Sequence, residues 1–540
     1  MNVRPSFSVL SSAIAATTLL CAGLDVGESK ADPDQTSVES LKSWPPDMAQ
    51  YTRSLSPEEG SPRGESPMGA SIELIHPEGG KDRRIFMVDV VVSNTDQNLT
   101  NTDVQNDGET SIAVNPKNRR EIIISAFSGS WGATAPIYHT IDGGRTWTRE
   151  FSVPVPPGWD TGCPCDWTFD YGRNHELSAT ILASTNVRAG FDVVTGTTTD
   201  PAQAAFFNYF DPPGAPIQAQ ETNINVPTSL GNADQPWLLV NRDPNTRRQD
   251  NVYVGWDDFN NSDAVDGPDM RVAVSYGLNP PDFTQDQQVG NSLGAVNPGL
   301  RLAKHLQKGI MWALWGRNVA ILPGDIKNMD YMLNRSTDGG NSWSLNSTAF
   351  GIPIANADST QPQPKFGTVN ALLGGVHHAA VDPKTGDLYY VYGNRDSTIG
   401  NDRLAIRRIK TDRHSGNVTI GPEYFVTGQV EAAIPQVAVN DDGKIGVFYY
   451  TFDGFSSDNF PIFTAHLALS RNRGIKFTDH KLLTFLSSAQ DNGDPRQRVL
   501  GDYMQMKALG DCFYGSFTAN GAAFGRPFAN HDPIFFKTCS

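Results

Sequence analysis

From about residue 84 onward, apolar and polar positions alternate in short runs, and turn-forming residues separate the runs. A period of two is that of β-strands, whose successive side chains point to opposite faces. The runs recur as one phrase: an apolar strand reaches an Asn-Pro or Asp-Gly turn and returns as an aromatic-rich strand. Clear copies are ETSIAVNPKNRREIIISAF from Glu109, DQPWLLVNRDPNTRRQDNVYVGW from Asp234, HHAAVDPKTGDLYYVYG from His377, IPQVAVNDDGKIGVFYY from Ile434 and GDYMQMKALGDCFYGSF from Gly501. Weaker copies begin near Asp166 and Arg301, which makes seven units at intervals of roughly 50 to 70 residues, the spacing of a repeat architecture.

A small antiparallel sheet cannot bury both faces alone, whereas sheets packed around an axis can. The pattern predicts an all-β fold, a β-propeller of four-stranded antiparallel blades. The count favours seven blades, with six as the alternative. The early strand near Phe86–Ser93 is predicted to add to the last blade, which ends at Pro533–Thr538, and so to close the ring.

Composition adds to this picture. Fifty Gly and 36 Pro in 540 residues suit many tight connections. The net charge of −16 makes nucleic acid and anionic membrane surfaces poor partners. Residues 1–31 read as a signal peptide: Arg4, then an apolar stretch from Val9 to Leu24 too short to span a membrane, then small residues at Ser29-Lys30-Ala31. A secreted or periplasmic location follows, with no membrane insertion. Residues 32–80, rich in Ser, Pro, Glu and Gly, read as a flexible linker, and 81–540 as the propeller. Four cysteines remain after cleavage, an even number that suggests disulfides in an exported chain. Cys512 with Cys539 is the favoured pair, since both fall in the last repeat. Cys163-Pro-Cys165 reads as structural.

Two segments are sharper than strand patterns, TIDGGRTW at Thr140–Trp147 and STDGGNSW at Ser336–Trp343. SRNRGIKF at Ser470–Phe477 is a decayed copy with Asn472 for Asp and Lys476 for the hydroxyl residue. They resemble the Asp box of bacterial neuraminidase repeats, found in sialidases and related propellers. The box chemistry is structural: the Asp carboxylate accepts backbone N–H groups within the turn. Gly144 and Gly340 tolerate positive φ. Trp147 and Trp343 are expected to fill space between blades.

Propeller ligands sit at the channel mouth, ringed by residues at the start of each inner strand. Aligned repeats place Glu109, Asp166, Asp234, Arg301, His377, His378, Gln436, Asp502 and Tyr503 there. The resemblance implies a Tyr nucleophile with a Glu base, an Asp acid and arginines that clamp a substrate carboxylate. Carried onto this chain, Tyr503 is the nucleophile, Glu109 its base, Asp234 or Asp502 the acid, and Arg301 and Arg498 the anion clamp. No Arg-x-Pro phrase precedes the first box, which departs from the sialidase pattern. An alternative is a lyase on uronate-containing polysaccharide built from His377, His378, Tyr503 and Arg301, in which the base removes a proton beside a carboxylate that the cation holds. His378 and Gln436 also stand among the substrate-binding candidates. Neighbouring residues on a strand point to opposite faces, so at most one of the two His faces the site. A non-catalytic binding propeller is the third class. No metal or cofactor is required. The acidic loop Asp257–Asp269 reads as solvated, with calcium as the alternative. The expected function is that of a secreted carbohydrate-active protein, a sialidase-like exo-glycoside hydrolase first, with a glycan as its partner.

Overall fold

The computed structural model describes residues 53–55, 71–78, 81–90 and, apart from connecting segments of which the longest is 210–232, residues 108–540. The expected signal peptide and most of the expected linker lie outside the described residues. Seven antiparallel sheets follow one another along the chain, and no α-helix occurs among the described residues. The inner strands of blades 1 to 7 are Gly108–Val114, Trp159–Tyr171, Ala233–Arg242, Arg301–His305, His377–Val381, Ala432–Val439 and Gln505–Leu509. Six blades are built from consecutive strands. The seventh takes three strands from the end of the chain and one from its beginning: Lys81–Asp89 pairs with His531–Cys539, with Met87 opposite Phe536 and Val88 opposite Phe535. This closure joins the two ends of the fold and buries a sheet edge that would otherwise be exposed.

The linker expectation fails at its last part. Ser71–Glu78 forms a hairpin with Lys81–Asp89 and extends the seventh sheet outward. The reason lies in its alternation, which buries Ile72 and Leu74. Cys512 and Cys539 are disulfide-bonded across paired strands of this blade. The side chains of Cys163 and Cys165 lie outside the described residues.

All three box segments occupy the same place, the connection between the third and fourth strands of blades 1, 4 and 6. Asp142 accepts the N–H groups of Arg145 at 2.9 Å and Thr146 at 3.1 Å and the Thr146 hydroxyl at 2.6 Å. Asp338 accepts the Ser342 N–H at 3.0 Å and its hydroxyl at 2.6 Å. In the decayed copy, Asn472 Oδ1 still accepts the Lys476 N–H at 2.9 Å. These bonds hold the Asp142 and Asp338 carboxyls below the usual carboxylate range although burial opposes it. Trp147 packs edge-on against Phe535 of blade 7, and Trp343 joins the cluster containing Tyr253 and Val274 of blade 3. Each box thus wedges its aromatic residue against the preceding blade.

Inner strands of neighbouring blades splay apart, so side chains bridge them. Gln505 accepts the Ile112 N–H at 3.2 Å, Ser111 that of Phe169 at 3.2 Å, Thr168 that of Leu238 at 2.8 Å, and His378 that of Val437 at 3.1 Å. Polar residues on the channel wall therefore satisfy buried backbone donors.

Candidate active site at the channel mouth

A repeated backbone device shapes the start of the inner strands. Glu109, Asp166, Gln235 and Ile434 all have φ between 51° and 54°, and each lies at a register shift of its strand pair. These are β-bulges, which turn a side chain away from the regular alternation. They put Glu109, Asp166 and Gln235 of three successive blades around one point. Sequence alignment placed Asp234 and Gln436 in this ring. The bulge residues are instead Gln235 and Ile434, because the extra residue of the bulge shifts the register.

Across the ring, the segment Arg498–Tyr503 supplies the facing groups. Arg498 forms ion pairs with Glu109 and, at 2.7 Å, with Asp502. Glu109 Oε1 also accepts the Asp502 N–H at 3.1 Å. A side chain at Gly501, whose φ is 87°, would overlap Glu109. Asn370, which sequence reasoning missed, holds this segment: its Oδ1 accepts the N–H groups of Val499, Leu500 and Gly501 at 2.8 to 3.1 Å. It is a positioning residue from the loop before blade 5, and no motif marks it.

The mouth is rich in carboxyl groups. Glu109, Asp166, Asp234 and Asp502 all interact with Arg498. Glu109 is fully buried, and burial raises its pKa, against which Arg498 acts first. Asp166 is hydrogen-bonded to Glu109. Burial, then Glu109 and Asp234, hold its carboxyl well above the usual carboxylate range. Of the two, Asp166 is thus the carboxyl pushed towards its protonated form, while Arg498 acts to keep Glu109 ionised. Asp234 is half-buried and its Oδ1 accepts the Gln235 N–H at 2.9 Å. Below it, burial and then Asp234 push the Asp257 carboxyl up to about 8, although Leu300 and Gly299 donate backbone N–H bonds to it at 3.0 and 3.1 Å. Asp257 thus belongs to the mouth and is not a solvated loop residue. Asp258 and Asp269 of the same acidic segment each lie 3.9 Å from Arg271. The middle of the loop, 264–266, lies outside the described residues. Among the described residues, one group has metal-binding spacing, Asp511 with Cys512 and Cys539, and its two sulfurs form the disulfide.

Arg301, Trp237 and Tyr503 form a floor under the carboxyl ring. The Arg301 guanidinium stacks 4.7 Å over Trp237 and 5.5 Å from Tyr503, and it donates to Gln235 at 2.8 Å and to the Leu300 carbonyl at 3.1 Å. Gln235 in turn donates to Asp502 at 3.0 Å. The Tyr503 hydroxyl donates to the Trp167 carbonyl at 3.3 Å. Burial, then Asp166 and Glu109, hold its pKa well above 10, so the phenol is firmly neutral and its proton is engaged.

The His pair splits as strand geometry requires, but neither member reaches the carboxyl ring as a base. His377 packs between blades 4 and 5 against Tyr331 and Tyr390, at 5.9 and 6.0 Å. Burial and then Arg301 bring its pKa down to about 3. His378 faces the channel beside Trp237 at 5.7 Å, and its Nδ1 serves the Val437 N–H. Burial lowers its pKa well below 6.5. Gln436 is buried on the channel wall with its Oε1 unpaired.

The chain matches no family model and no curated protein. Solved structures resemble it at low identity. An α-L-arabinofuranosidase of Fusarium graminearum bound to an iminosugar inhibitor is 10% identical, over 64% of this chain and 88% of that one, with a TM-score of 0.39. A GH43 endo-arabinanase of Bacillus licheniformis is 12% identical, over 58% of this chain and 97% of that one, with a TM-score of 0.31. A protein of unknown function from Dyadobacter fermentans is 11% identical, over 69% and 94%, with a TM-score of 0.37. Likenesses of this size assign no activity.

Proposed function

We propose that the protein is a glycoside hydrolase that cleaves a neutral glycan at the acidic mouth of its channel. The observation that carries this reading is the cluster of carboxyl groups at the start of the inner strands, in which buried Asp166, beside Glu109 and Asp234, is held well above the usual carboxylate range. Glycoside hydrolysis needs one carboxyl group that keeps its proton and one that does not. Glu109 hydrogen-bonds Asp166 directly, so these two act as one unit. The opposing group must stand about 5 Å or more away across the bond. Asp234, on the next blade and half-buried, is the candidate: it activates water or attacks, while Asp166 protonates the leaving oxygen. Glu109, Arg498 and Asn370 fix the acid. Tyr503 then supports the floor instead of attacking, which departs from the sialidase-like expectation. Both arginines of the mouth are already engaged, and the excess of carboxyl groups repels an anionic sugar. This disfavours sialosides and uronates.

The test is a panel of chromogenic neutral glycosides, sialosides and uronate polysaccharides. Turnover of a neutral glycoside, lost in Asp166→Asn and Asp234→Asn but kept in Tyr503→Phe, is expected. Turnover of a sialoside that Tyr503→Phe abolishes would return the nucleophile to Tyr503 and overturn the proposal.

A further inference from the structure

Beneath the Trp237 floor the channel opens into a cavity of about 200 Å³, lined by the inner strands and reached from the opposite face of the ring. Its charged lining is uneven. Arg173 pairs with Asp250 at 2.6 Å, and Lys304 pairs with Asp170 and donates to the Val240 carbonyl at 2.7 Å. Lys507 has no such partner among the described residues, so it is the surplus positive charge of a cavity inside a chain of net charge −16. Uncharged groups point the same way. Gln505 spends its Oε1 on Ser111 and Ile112, which leaves a buried Nε2 without an acceptor. His378, which also lines the cavity, accepts at Nδ1, and this places the proton of the neutral ring on Nε2. One cation and two neutral donors thus line a cavity whose carboxylates, Asp170 and Asp250, are already paired, with the buried Gln436 Oε1 as an unpaired acceptor on its wall. Buried donors without acceptors are costly, and a bound acceptor relieves that cost.

We propose that this cavity is a binding site for a small oxyanion, phosphate or a short carboxylate, held by Lys507, Gln505 and His378. The site is separate from the acidic mouth and does not depend on the activity proposed there. Burial lowers the Lys507 pKa, Asp170 acts against this and Lys304 adds to it, and a bound anion would raise it.

Calorimetric titration of the whole protein with inorganic phosphate and, separately, with acetate at constant ionic strength tests this. Saturable binding of either at one site is expected, and the two arms tell a phosphoryl from a carboxylate ligand. Lys507→Met should weaken it by about ten-fold or more, the cost of losing a charged hydrogen bond. Lys507→Arg and Asp166→Asn should retain it. No saturable heat from wild type, or equal binding by Lys507→Met, overturns the proposal. If Lys507→Met does not fold, a crystal structure of wild type with either anion decides: density away from Lys507 and Gln505 also overturns it.

Discussion

The box glycine Gly144 gives a sharp test of how the ring closes. It has φ of 93° and donates its N–H to the Thr140 hydroxyl at 3.2 Å. A Cβ built there would fall on the ring of Phe535. Phe535 lies on the last strand of the chain, opposite Val88 of the first closing strand, and packs on Trp147 at 5.3 Å. Gly144→Ala therefore adds two costs, a left-handed backbone of about 1–2 kcal/mol and overpacking of about 1–3 kcal/mol. Their sum is about 2–5 kcal/mol. The neighbouring Gly143 is the internal control. Its φ is 85°, but the nearest atom to a new Cβ, apart from its chain neighbours, is Lys537 Nζ at 3.8 Å. Gly143→Ala should carry the backbone cost alone, about 1–2 kcal/mol. Urea unfolding of the two variants, read as midpoints at unchanged slope, separates the contributions. Gly144→Ala should unfold at clearly lower urea than Gly143→Ala. Equal midpoints would refute the claim that the box glycine makes room for the closing blade.

Other consequences follow from the same fold. The Cys512–Cys539 bridge closes a loop of 27 residues, for which chain entropy gives about 3.5 kcal/mol; a Cys512→Ser/Cys539→Ser double variant should melt lower than wild type, and reductant should not lower it further. Asp257 should make the protein less stable as pH rises. Its folded pKa of about 8 exceeds the ordinary 3.8, so the folded state holds the extra proton and stability falls between about pH 4 and 8. Asp257→Asn removes the titrating group, keeps an acceptor for one of the two N–H groups that Gly299 and Leu300 donate to separate Asp257 oxygens, and should flatten that fall. An unchanged pH slope in equilibrium unfolding would show that Asp257 ionises normally.

The blades, their number and the closing strand were legible in the sequence because period-two alternation and Asx-Gly-Pro turns are local signals repeated seven times. The boxes were legible for the same reason: Asp142 bonds groups within four residues of itself. The mouth was only partly legible. Glu109, Asp166, Asp234 and Asp502 were found as polar residues at strand starts, but the bulges bring in Gln235 beside Asp234 and put Ile434, not Gln436, at the bulge of its strand. A faint signal existed, since proline follows both Gln235 and Ile434 and cannot donate to the ladder. The His pair misled because a channel-facing polar residue can serve a backbone N–H of the next blade, as His378 does. Asn370 and Asp257 act through contacts that only the closed ring creates.

The most direct test of the central claim is the pH–rate profile of Asp166→Asn on two neutral substrates, one with a natural sugar leaving group and one with an activated aryl leaving group. A general acid matters only where the departing oxygen needs a proton, and its removal costs about 100-fold or more there. The account predicts that loss with the sugar leaving group, little loss with the aryl one, and disappearance of the alkaline limb that Asp166 imposes on wild type. Equal rates and an unchanged alkaline limb in the variant would contradict it.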